Sequence, residues 1–175
     1  MTENRLSLQR LIRHYLDLVL ISGSLIALDQ WTKALVRAHI PLGGDWLPPG
    51  LEWLLPYARI RHWYNTGAAF GLFQDGNLVF TILAFLVSGF ILYYYHRLDH
   101  HQGWLRLTLA LQLAGAIGNL IDRLRFGHVT DFISIGTFPI FNIADASITI
   151  GAILLGLVIF WSERQARLSR GGPEL

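Results

Sequence analysis

Four aspartates in this chain are placed for acid–base chemistry. Asp29, Asp122 and Asp145 each lie close to one end of a long apolar run, and Asp131 falls between the last two runs. Alternating topology brings those run ends to the same side of a membrane. A carboxylate at the edge of hydrocarbon is costly, so an ionisable residue there points to a functional site. Two carboxylates at close range do not both ionise easily and share one proton. One then acts as base on a water while the other donates to a substrate carbonyl, which is aspartic-peptidase chemistry.

Amides accompany these acids. Asn119 and Asp122 are three residues apart, as are Asn142 and Asp145, so on a helix each pair shares a face. Such amides can hold a carboxylate or a bound peptide; equally, they can bind helix to helix within a bilayer. Asp29 and Lys33 are four apart with the acid first, the favourable order for a helical ion pair, and their reading is structural. Arg123 follows Asp122 directly and is expected to neutralise it, which makes Asp131 the better base.

Other groupings carry less. His96, His100 and His101 cluster beside Arg97 and Asp99, the pattern of a solvated loop more than of a metal site. Tyr64–Gly71 reads Y-N-T-G-A-A-F-G, a tight turn with Asn65 as its polar group. His128 lies near Asp131. There is no H-E-x-x-H helix, G-x-S-x-G elbow or phosphate loop. Asp and Asn oxygens could hold Mg²⁺ or Ca²⁺ by residue type alone.

The elements that must position these residues are apolar. Hydrophobic residues make up 53% of the 175 and charged ones only 15%, against about 25% charged in soluble domains. The chain therefore reads as one polytopic membrane domain over residues 1–175. A net charge of +2 gives no case for nucleic acid. The absence of cysteine excludes disulfides, thiolate metal sites and a cysteine nucleophile. Arg5, Arg10 and Arg13 before an apolar stretch imitate a signal peptide, but without a convincing small-residue cleavage site the stretch reads as a retained span.

Four spans are expected: Tyr15–Val36, Asn77–Tyr95, Trp104–Ile121 and Ile140–Trp161, the last with Asp145 in its second turn. Asn77–Tyr95 has 19 residues without charge, about 28 Å of helix against a core of about 30 Å. Four spans put both termini on one side. Eight basic residues (Arg5, Arg10, Arg13, Arg97, Arg106, Arg164, Arg167, Arg170) then share that side against six on the other. This bias points to cytoplasmic termini.

The outer loop, residues 37–76, is too long for a plain connection. Pro41, Pro48, Pro49 and Pro56 break helices, and Leu51–Leu55 and Ala58–Asn65 are expected as short strands. Trp46, Trp53, Trp63 and Tyr64 suit a headgroup-level belt. The tail, residues 169–175, is expected to be disordered.

Together A-L-D-Q-W-T-K (Ala27–Lys33), N-T-G-A-A-F-G (Asn65–Gly71), G-A-I-G-N-L-I-D-R (Gly115–Arg123), H-V-T-D-F-I (His128–Ile133) and F-N-I-A-D (Phe141–Asp145) resemble the lipoprotein signal peptidases, the signal peptidase II family. Each block is moderately specific; five in order are highly so. The resemblance implies an all-α integral membrane protein with four transmembrane helices and a small β element in the outer loop. It implies a bacterial inner-membrane aspartic endopeptidase that cleaves before a diacylglyceryl-modified cysteine in prolipoproteins.

By that resemblance Asp131 and Asp145 are the catalytic pair. Asn65, Asn119, Arg123 and Asn142 contact substrate or hold the site. Asp29, Lys33 and Asp122 are architectural, and Gly67 and Ala144 belong to the same blocks. No metal or organic cofactor is implied, and a monomer in membrane lipid is expected. One departure stands out: only 13 residues separate Asp131 from Asp145, which is short for the family, so Ser134–Pro139 must be compact. The competing classes are an ion-coupled transporter with Asp122 and Asp145 as a proton relay, and a structural scaffold.

Overall fold

The computed structural model describes residues 2–67, 76–99 and 101–170, with side chains over 14–67, 76–99 and 101–168. Helix α1 runs Thr2–His39, α2 Asn77–Tyr95, α3 Gly103–Phe126 and α4 Ile143–Arg170. All four contain segments long and apolar enough to cross a membrane: His14–His39, Asn77–Tyr95, Gly103–Phe126 and Ile143–Leu168. Three strands, β1 Asp45–Trp46, β2 Ala58–Asn65 and β3 Val129–Ile135, form an antiparallel sheet in the order β1-β2-β3.

The second span and strand β2 have the expected limits. α3 continues past Ile121 because nothing in its sequence breaks it before Gly127, which closes the helix in the left-handed region (φ 76°). Leu51–Leu55 is not a strand. Flanked by prolines, it turns on itself, with Leu51 N–H on the Pro48 carbonyl (3.1 Å) and Leu54 N–H on that of Leu51 (2.9 Å), and forms a 3-10 turn at Glu52–Leu54. β3 lies outside the sequence expectations, although Val129, Thr130, Phe132, Ile133 and Ile135 are good strand formers. α4 keeps residues 169 and 170 helical, contrary to the expected tail; residues 171–175 are outside the described set.

The short spacing between Asp131 and Asp145 is met by an immediate reversal. Phe138 N–H bonds the Ile135 carbonyl (3.0 Å), and Phe141 pairs back onto Ile133. Asn142 therefore returns beside β3, and α4 begins at the next residue.

α3 packs against α1, α2 and α4. Its fit depends on glycine. A Cβ on Gly115 would run into the Ala144 carbonyl and the Ile148 side chain, and one on Gly118 would stand 2.9 Å from Asp29 Oδ2. Toward the α3 N-terminus, Leu18, Ile91, Tyr95, Leu109 and Leu113 form an apolar core; near the sheet, Val36, Ile40 and Phe132 form another. Leu78, Leu86, Ile153 and Phe160 are exposed, as suits helices whose outer neighbour is lipid.

Candidate active site

Lys33, fully buried on α1, is the centre of the polar cluster. Its ammonium lies 2.9 Å from Asp29 Oδ2 and 3.4 Å from Asp122 Oδ2, and donates to Asn119 Oδ1 at 3.0 Å. Asp29 Oδ1 also accepts the Ala144 N–H (3.0 Å) at the start of α4, and Asp122 Oδ2 accepts the Thr130 N–H (2.9 Å) of β3. These two aspartates therefore fasten α4 and the sheet to α1 and α3.

Asp122 does not pair with Arg123 as expected. Successive helical residues point about 100° apart, so Asp122 faces α1, where Lys33 and Arg37 (3.8 Å) meet it. Arg123 instead lies over the Phe80 ring, 5.4 Å from its centroid, and makes no ion pair among the described residues. Neither Gln30 nor Arg37 is among the expected site residues, although Arg37 is one of the six basic residues on the side of the aspartates. The Gln30 amide reaches Asp29, Asp122 and the Gly118 carbonyl at 3.2, 3.1 and 3.0 Å, and Arg37 donates to Thr130 Oγ1 at 2.9 Å. The A-L-D-Q-W-T-K block contains Gln30, but only the folded contacts reveal its partners.

Asp131 and Asp145 are held differently. Asp131 Oδ1 accepts from Asn142 Nδ2 (2.6 Å) and Oδ2 from Asn65 Nδ2 (2.8 Å). Asp145 Oδ1 accepts from Asn119 Nδ2 (2.8 Å) and Oδ2 from the Asn142 backbone N–H (3.1 Å). Every oxygen of the pair thus takes an asparagine N–H, and among the described residues neither carboxylate has a cation within ion-pair distance. Burial, followed by the nearby charge of Asp145, pushes the Asp131 carboxyl up to about 7.

Asn142 is not helical, and Asp145 stands in the first turn of α4 rather than the second. The two residues cap the helix reciprocally: Asn142 N–H bonds Asp145 Oδ2, and Asp145 N–H bonds Asn142 Oδ1 (2.9 Å). This cap leaves Asn142 Nδ2 free to reach Asp131. Asn65 is oriented likewise, with its Oδ1 accepting the Gly67 N–H at 3.0 Å.

All the expected site residues meet here: Asp29, Lys33, Asn65, Gly67, Asn119, Asp122, Arg123, Asp131, Asn142, Ala144 and Asp145. Positions 68–71 of the N-T-G-A-A-F-G block lie outside the described residues. His128 stacks on Tyr64, 3.7 Å between centroids. His96 and His101 lie at the opposite end of α3; His100 is outside the described set.

A cavity of about 650 Å³ runs from this cluster along α3, between α2 and α4. Asn65, Asn119, Arg123 and Asp145 line its polar end, and Leu83 and Val87 part of its apolar wall. Asp131 is held beside it by Asn65.

Residues 21–161 match the family described as Signal peptidase (SPase) II. The chain is similar to the lipoprotein signal peptidase of Enterococcus faecalis, with 35% identity over 87% of this chain and 93% of the relative. Similarity to that of Pseudomonas aeruginosa is 36% over 86% and 92%. Two bacterial membrane enzymes solved by the in meso method have similar folds. The one at 2.3 Å has a TM-score of 0.76 and 29% identity over 84% of this chain and 89% of its own; that at 1.9 Å has 0.71 and 30% over 82% and 92%.

Proposed function

The chain belongs to the signal peptidase II family, and on that premise we propose that Asp131 and Asp145 hydrolyse the peptide bond before a diacylglyceryl-modified cysteine. It is a multi-pass membrane aspartic peptidase that removes signal peptides from prolipoproteins. The carrying observation is the pair of carboxylates whose oxygens are all engaged by asparagine N–H groups and not by cations.

An amide donor orients a carboxylate without fixing a charge on it as a neighbouring cation does. The pair therefore keeps one proton near neutral pH. The ionised member takes a proton from water as that water attacks the scissile carbonyl. The protonated member donates to the carbonyl oxygen. Collapse of the tetrahedral intermediate breaks the C–N bond; the proton taken from water passes to the leaving amine, and the proton given to the carbonyl oxygen returns to the pair as the carbonyl re-forms. Asn142, which bonds both aspartates, keeps them in mutual register. Arg123, without a carboxylate partner among the described residues, offers its guanidinium to the substrate.

The cavity receives the signal peptide from the side, and acyl chains lie along the apolar helix faces. Each buried methylene contributes about 0.8 kcal/mol, so the lipid supplies much of the binding. The arginine bias supports a reading with both termini in the cytoplasm of a bacterial inner membrane and the site at the outer leaflet.

Incubation of the purified enzyme with a diacylglyceryl-modified precursor and its unmodified twin tests the substrate. Only the lipidated form should be cut efficiently; equal turnover of both would refute the lipid requirement. An impermeant thiol reagent on intact cells tests orientation: Asp45→Cys should label and Leu168→Cys should not. The reverse pattern would invert the topology.

A further inference from the structure

Gln112 is a polar residue of the cavity that the peptidase chemistry does not use. It lies on α3 seven residues before Asn119, two turns and about 10 Å along the axis. It is the ninth residue after the helix start at Gly103, about 14 Å into the span. It lines the cavity on the same helix face as Gly115, Asn119 and Arg123.

Its Nε2 donates to the Ile148 carbonyl of α4 at 3.1 Å. Gly151 makes room for that amide, since a Cβ there would stand 3.2 Å from Nε2. Oε1 accepts no hydrogen bond among the described residues. One end of the amide is thus anchored to α4, and an acceptor is left in a groove that reaches hydrocarbon depth. An uncommitted acceptor there gains from any donor that enters.

Resting on the reading of the cavity as the signal-peptide site, we infer that Gln112 is a specificity-determining residue for signal peptides with a hydrogen-bond donor at its depth. The scissile bond lies at the level of Asp145, and the peptide before it descends the groove. A span of about 10 Å corresponds to three residues if the peptide is extended or seven if it is helical. The matching substrate class has a serine, threonine or amide side chain three to seven residues before the cleaved bond. Elsewhere in the apolar stretch the same hydroxyl has only its own backbone carbonyls as partners.

The test moves a single serine through positions two to nine before the cut in an otherwise Leu/Ala lipidated precursor. For each peptide, kcat/KM is expressed relative to the serine-free parent. With the wild-type enzyme, one position in the three-to-seven window should exceed its neighbours about three- to tenfold, the effect of one hydrogen bond between membrane helices. Gln112→Met should erase that maximum, and Gln112→Asn should weaken or shift it. A flat profile with wild type would overturn the inference while leaving the proposed function standing, and requires no variant to fold. A maximum that persists in Gln112→Met would overturn it as well, because the donor would then be read elsewhere. Failure of the wild type to cleave any lipidated precursor would refute the proposed function and this inference with it.

Discussion

The helix bundle pairs charge at both ends, and one end also holds two carboxylates by other means. Near the α3 N-terminus, Arg106 donates to both oxygens of Asp17 at 2.8 and 2.7 Å. Its guanidinium lies 4.4 Å from the Tyr95 ring centroid and also donates to the His14 carbonyl. One carboxylate meets one guanidinium in a bidentate fork, and α1, α2 and α3 are tied together. At the other end Lys33 neutralises Asp29 and Asp122 in the same spirit. Asp131 and Asp145 beside them receive only asparagine N–H groups. A carboxylate locked by a cation stays ionised and holds structure; one oriented by amides keeps access to a proton and can do chemistry.

The sharpest way to break this contrast is to neutralise the amide-held pair. Asp131→Asn and Asp145→Asn should each lower cleavage of a lipidated precursor at least about 10³-fold, the scale of losing a member of a catalytic unit. Membrane insertion should persist. Activity within tenfold of the parent would remove that residue from the pair.

Asn142→Ala should come next. It deletes the amide that reaches Asp131 and half of the α4 cap, and misplacing the carboxylates should reduce kcat about 10²-fold. If only KM rose, Asn142 would be a substrate contact and not the register of the pair.

pH should separate the two ends further. The Asp131 carboxyl is raised to about 7, so turnover should decline as pH rises through that value and the shared proton leaves. Stability shares the sign. In the unfolded chain this carboxyl titrates near 4, so the fold binds the extra proton between about 4 and 7 and loses stability as pH rises across that window. Thermal melts at pH 5 and 8 should show the loss in the parent and a smaller one in Asp131→Asn. Equal losses in both would assign it to other groups.

Arg106→Ala tests the cation-locked end. It should lower stability by about 1–3 kcal/mol, as for a lost charged hydrogen-bond network with a partly exposed carboxylate, and reduce kcat far less than Asn142→Ala. A 10²-fold loss of kcat would show that the two ends are coupled. The smallest effect is expected from EDTA, because a shared-proton pair needs no ion. Loss of activity on chelation with recovery on adding Mg²⁺, Ca²⁺ or Zn²⁺ would make the aspartates ligands.

Much of this was legible in the chain. Asn77–Tyr95 and Ala58–Asn65 were readable to the residue, because an uncharged run of membrane length and a β-branched, aromatic run each have few alternatives. The Asp29–Lys33 pair followed from helical spacing. The motif blocks named the cluster residues but not their contacts. Asp122 looked destined for Arg123, its neighbour in sequence, yet helix geometry turned it toward Lys33, 89 residues away in the chain. Likewise Asn142 and Asp145 looked like one helical face and proved to be a cap. Sequence alone determined what local periodicity and solvent preference can specify: four apolar helices, the long loop between the first two and the supply of acids and amides. Only the tertiary structure decided which acids meet a cation and which meet an amide. That choice depends on how β3 doubles back through Phe141 and how closely Gly115 and Gly118 let α3 approach its neighbours, and hydrogen-bond partners brought together across such distances leave no periodic mark in the chain.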